Sequence, residues 1–211
     1  MDGFFRYNKI SNTPKGDFIV KEFLKKYGYT MAKLFVNQFA IALFGIGLWC
    51  VGMYGDNTAL KIGSSIGAVV FYLFLLYAHM WEIGAKDGIS AEARGTARGL
   101  WRGFAIGAGA NALNILLVIL MLPQVLFKGY LPVSGVMKTI SMLLHGMYTG
   151  FTATVAIGGR TLNQMILTYF IIILPAVLVT GLAYIIGSYN LHLTNILIPK
   201  NKDVRNNGRP K

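Results

Sequence analysis

Five stretches of this 211-residue chain, at about 34–53, 62–80, 104–122, 139–157 and 165–188, contain no Asp, Glu, Lys or Arg. Each has roughly the 20 residues needed to carry a helix across ~30 Å of hydrocarbon. The charges lie between and around these runs and cluster at 1–33, 82–102 and 200–211. Only 13% of the residues are charged and 55% are hydrophobic, whereas a soluble domain carries about a quarter charged residues. The mean hydropathy is +0.54. The expected fold is an all-α polytopic transmembrane helix bundle of four full spans plus one marginal or re-entrant segment, or of five spans.

The fourth run decides between these. It holds His145, four threonines and three glycine or serine positions, and Lys138 stands at its edge. If it does not cross, both termini and the 82–102 loop share one side, with sixteen of the 20 Lys and Arg residues against four. If it crosses, the division is twelve against eight. The positive-inside rule therefore favours four spans, and hydropathy alone favours five. Either way the N-terminus is expected in the cytoplasm and the protein in the plasma membrane.

Three regions follow: a basic leader over 1–30, a helical domain over 31–188 and a basic polar tail over 189–211. In the leader, Gly16 and Asp17 can cap a helix in which Ile19, Val20, Phe23, Leu24 and Tyr27 recur at helical spacing beside Lys21, Lys25 and Lys26. That helix either lies on the membrane surface or extends the first span. The first apolar run comes too late and is too long to be a cleavable signal. Residues 54–58 form a short turn that makes the first two spans antiparallel. Trp81 and Trp101 mark one interface, and Trp49 and Tyr54 the other. Cys50 is the only cysteine and reads as a buried apolar residue, so no intrachain disulfide can form.

The net charge of +12 is divided among the flanks of apolar runs, with no nucleic-acid signature, so nucleic acid is not an expected partner. Bilayer and anionic headgroups are.

Gly95, Gly99, Gly103 and Gly107 recur every fourth residue, a spacing that lets helices approach closely. Gly63 and Gly67 offer a docking surface, and a homo- or hetero-oligomer contact is the alternative use of the groove. Arg94, Arg98 and Arg102 repeat at the same spacing, one position back, as a basic cytoplasmic stripe for headgroups, an acidic partner or an anionic substrate.

Polar residues inside apolar runs are expensive and often functional. His145, Asn111, Asn114 and Tyr148 form the candidate polar site. His79 and Glu82 share a helical face at an interface and are expected to pair as ions. Pro175 interrupts the fifth run and can kink it. No metal site and no cofactor is expected, and there is no phosphate loop, nucleophile elbow, HExxH or CxxC motif. An intramembrane enzyme would need several ionisable groups meeting in the bilayer, and only His145 is on offer. The leading expectation is a non-enzymatic membrane subunit acting within a larger assembly. The alternative is a small-molecule transporter or substrate-binding membrane subunit.

Overall fold

A computed structural model describes residues 15–126 and 132–191. The start of the leader, Lys128 and the tail from His192 onward lie outside the described residues. The described chain is mostly helical. Helix α1 (Lys15–Tyr54) has 40 residues, about 60 Å at 1.5 Å per residue, and runs through residue 30 without a break. The leader thus extends the first apolar run. Asn57 caps α2 (Thr58–Ala93) by accepting from the Leu60 N–H at 3.0 Å.

α2 stops in a Schellman turn. Gly95, at φ 62°, donates to the Glu92 carbonyl at 3.1 Å, and Thr96 to Ala91 at 2.9 Å. Helix resumes at α3 (Arg102–Ala110), which bends by 63° at Asn111 into α4 (Ala112–Leu126). α5 (Pro132–Leu144) ends at His145, a 3-10 turn covers Gly146–Tyr148, and α6 (Thr149–Thr154) follows. A two-residue hairpin pairs β1 (Ala156–Ile157) with β2 (Arg160–Thr161) across Gly158 and Gly159, both at positive φ. α7 (Ile166–Ser188) closes the described chain.

By length and composition, three helices can cross a membrane: α1 from Val20, α2 and α7. The bent pair α3–α4 makes a fourth if counted as one. Their outward faces carry Val36, Phe44, Val70, Phe74, Leu174 and Leu178, an apolar surface compatible with a membrane protein.

Small residues set the central packing. A methyl group at Gly84 would collide with the Tyr184 backbone, one at Gly88 with Ser188, and one at Gly187 with Trp81. Position rises together in both helices, so α2 and α7 run parallel in close backbone contact. α3 runs antiparallel to α7, with Gly103 against Tyr184 and Gly181, and Gly107 against Thr180. α1 runs antiparallel to α2, since Lys26 meets Asp87 at one end and Gly52 meets Lys61 at the other. One end of the bundle therefore collects the start of α1, the ends of α2 and α7, and the start of α3.

Several expectations are corrected here. The four-glycine groove is not continuous, because residues 94–101 are a turn and not helix: Gly95 terminates α2, and Gly99 lies against its own neighbour Arg102. Among the described residues, nothing approaches Gly63 or Gly67 within 4 Å of where a Cβ would stand. The same turn disperses Arg94, Arg98 and Arg102, so they form no stripe. The 139–157 run is not one helix but α5, a 3-10 turn and α6. Cys50 is exposed on the outward face of α1, opposite the buried Leu34, Gln38 and Ala42.

Candidate functional site

The breaks in α3–α4 and α5–α6 bring polar groups inside. Asn111 sits at the bend, 3% exposed, and its amide donates to the Gly107 carbonyl at 3.0 Å. A backbone carbonyl can only accept, which fixes the Asn111 amide with its oxygen turned to Asn114. The Asn114 amide donates to that oxygen at 3.0 Å. Its own Oδ1 is then left bare, fully buried and without a partner.

The imidazole of His145 follows the same logic. Nδ1 lies 2.9 Å from the Ser141 carbonyl and must carry the hydrogen, so Nε2 presents a lone pair, buried and unpartnered. The Ser141 hydroxyl and the Tyr148 hydroxyl are likewise buried without partners among the described residues. Gln38 of α1 reaches over to the Leu144 carbonyl at 3.4 Å. His145 lies 6.4 Å from the Tyr148 ring and 6.2 Å, edge-on, from Tyr169. Tyr169 in turn packs with Val118 and Met121 of α4. The structure thus brings His145 beside Tyr148 and Asn111 beside Asn114. Tyr169 lies against the imidazole and against Val118 and Met121 further along α4, and among the described residues no hydrogen bond joins the asparagines to the imidazole. The unpaired inventory is two acceptors and two hydroxyls, which suits a ligand with N–H or O–H donors.

A second polar cluster lies at the opposite level. Asp87 of α2 accepts from Lys26 Nζ at 2.7 Å, from the Tyr184 hydroxyl at 2.7 Å and from the Tyr27 hydroxyl. Arg102 of α3 lies beside the same two phenols. Phe23 stacks on Trp101 at 5.5 Å beside them. One carboxylate therefore ties α1, α2 and α7. Nothing in the spacing of the sequence marked this cluster. The only signal was that acids are scarce, eight in the chain, and Asp87 is one of them.

Arg98, expected in a stripe, instead reaches Glu92 at 3.3 Å and lies over the Tyr189 ring at 4.7 Å. These residues flank a cavity of about 350 Å³ with Gly95 and Thr96. Glu82 pairs with Lys86 at 2.6 Å and not with His79. Among the described residues, no group of three or more His, Cys, Asp or Glu could hold a metal ion. No protein-family model, curated protein or solved structure matches the chain.

Proposed function

We propose that the chain is an integral plasma-membrane protein that holds a small molecule inside the bilayer, as a carrier or the binding subunit of one. The N-terminus is cytoplasmic. α1, α2, α7 and the bent pair α3–α4 are the four full spans, and α5–α6 is a re-entrant insert. The parallel run of α2 and α7 and the sixteen basic residues on one side support this arrangement.

One observation carries the binding reading: His145 Nε2, Asn114 Oδ1, Ser141 Oγ and Tyr148 OH are buried with no partner among the described residues. Each unmade hydrogen bond costs ~1–3 kcal/mol, and hydrocarbon offers no water to meet it. Two departures from regular helix lie in the same elements: the bend at Asn111 and the break at His145. Broken helices of this kind form substrate sites in transporters. A pure packing subunit is less well supported, since the glycine groove and arginine stripe that motivated it do not form.

Thermal unfolding of the detergent-purified protein against amino acids, nucleobases and polyols tests the reading. At least one class should raise Tm, by the equivalent of ~2.7 kcal/mol at a hundredfold excess over Kd. His145→Leu and Ser141→Ala remove unpaired polar atoms, so each should leave the free protein as stable or more so while abolishing that shift. The Ser141 carbonyl keeps its helical partner, the His145 N–H at 3.0 Å. No shift with any class, together with lowered stability in both variants, would make the polar atoms packing groups only.

A further inference from the structure

The ends of α2 and α7 come together, with Gly88 against Ser188, and a left-handed residue follows each helix, Gly95 after α2 and Asn190 after α7. The turn at Gly95 brings Arg98 over the Tyr189 ring. Between them lies an open cavity of about 350 Å³, lined by Ala91, Glu92, Gly95, Thr96, Arg98 and Tyr189. It stands at the level where the uncharged run of α7 stops, away from the buried polar site.

Two opposite charges line this cavity, and neither is fully used. The Glu92 and Arg98 side chains are 76% and 31% exposed and meet through one contact at 3.3 Å. Among the described residues that is the only hydrogen bond of a guanidinium that carries five N–H donors. An ion pair so long and so exposed contributes little, so either partner is exchanged at small cost. The Tyr189 ring, 4.7 Å from the guanidinium carbon, positions Arg98 without using its N–H groups.

A stripe of side chains runs from the cavity into the apolar surface. Leu174, Leu178 and Leu182 are each more than half exposed, and Tyr189, at the cavity wall, is 48% exposed. Their spacing puts all four on one face of α7. A ligand with a charged head in the cavity therefore has an apolar track for its chain.

We infer that the cavity seats the headgroup of a phospholipid bearing a primary ammonium, its phosphate on Arg98, its ammonium on Glu92 and an acyl chain along Leu182, Leu178 and Leu174. The chemistry selects this head. Phosphate oxygens accept from the spare guanidinium N–H groups, and the ammonium donates to the carboxylate. A purely anionic head leaves Glu92 unpaired beside a like charge. A quaternary ammonium has no N–H for Glu92, and the ring face that would attract it is taken by Arg98. The inference rests on the membrane reading above and is independent of the buried solute site.

Native mass spectrometry of the detergent-purified protein, titrated with phospholipids of identical chains, tests it. Phosphatidylethanolamine should bind about tenfold more tightly than phosphatidylcholine or phosphatidylglycerol, the worth of one hydrogen bond to a charged group. Glu92→Gln should abolish the preference for ethanolamine over choline, and Glu92→Asp, which keeps the charge, should retain it. Arg98→Gln should weaken binding of all three lipids. Lys86→Gln, at an exposed lysine of the same helix paired with Glu82, should change nothing. Excess O-phosphoethanolamine, the head without chains, should not displace the lipid at equal concentration. A preference that persists in both Gln variants at 92 and 98, or an equal loss in Lys86→Gln, would overturn the inference. Displacement by the free head would overturn it too, by assigning the cavity to a soluble amine phosphate. Folded protein recovered without detergent would refute the membrane reading itself, whereas absent lipid preference in a chain that needs detergent refutes this site alone.

Discussion

Asp87 is held by groups that come from far along the chain: Tyr27 sixty residues before it and Tyr184 ninety-seven after. It lies seven residues past Met80, where the second apolar run ends, and so beyond the span. Burial opposes its charge, but hydrogen bonds from Lys26, Tyr27 and Tyr184 outweigh that and hold the carboxyl below its ordinary range. A carboxyl depressed in the folded state contributes stability above its unfolded value near ~4 and loses it as pH falls through the folded value. The Tm of the purified protein should therefore drop as pH falls below ~4, and Asp87→Asn should flatten that part of the profile. At pH 7 the same variant should cost ~1.5–3 kcal/mol, the usual worth of hydrogen bonds to a charged group. An unchanged profile in Asp87→Asn would remove the carboxylate from its role. His145, Asn111 and Asn114 are legible in the sequence because polar residues stand out inside apolar runs. Asp87 is not, because a lone acid in a charged stretch reads as solvated, and its partners are set by tertiary contact alone.

Among the elements, α2 and α7 show why glycine spacing misleads when helix ends are not visible. The repeat Gly95–Gly107 crosses a helix terminus, and a left-handed Gly95 that caps α2 has the same spacing as one that packs. Gly84 and Gly88, also four apart, are the pair whose missing side chains admit α7. Gly88→Ala should thus force backbone apart and lower stability by ~1–3 kcal/mol, as overpacking does. Gly67→Ala, with nothing within 4 Å, should lie within ~1 kcal/mol of wild type. Comparable losses in both, measured by thermal unfolding in one detergent, would mean that the α2–α7 contact is not close. The long helices α1, α2 and α7 were legible because uncharged runs of that length have few alternatives. The bend at Asn111 and the break at His145 were not, since hydropathy averages over both sides of each.

At the scale of the whole molecule, the parallel relation of α2 and α7 constrains the topology more than any count of apolar runs. Two helices in backbone contact along Gly84–Tyr184 and Gly88–Ser188 end at the same level, and Trp81 reinforces this by donating to the Leu191 carbonyl at 2.8 Å. If both cross a membrane, the chain between the end of α2 and the start of α7 must cross it an odd number of times. In the proposed topology α3–α4 supplies that one crossing from the Asp87 end, and the hairpin at Ile157 leads straight into α7 from the other. α5–α6 has only to enter and leave on that second side, which its break at His145 permits and a straight span would forbid. Single cysteines in a Cys50→Ser background test this with an impermeant maleimide on intact cells. Ile157→Cys and Asp56→Cys should label from outside, and Glu92→Cys and Tyr189→Cys only after permeabilisation. Labelling of Tyr189→Cys in intact cells with Glu92→Cys protected would put the ends of α2 and α7 on opposite faces. Five spans would then be the count, and the packing of α7 along α2 would have to be abandoned with the four-span topology.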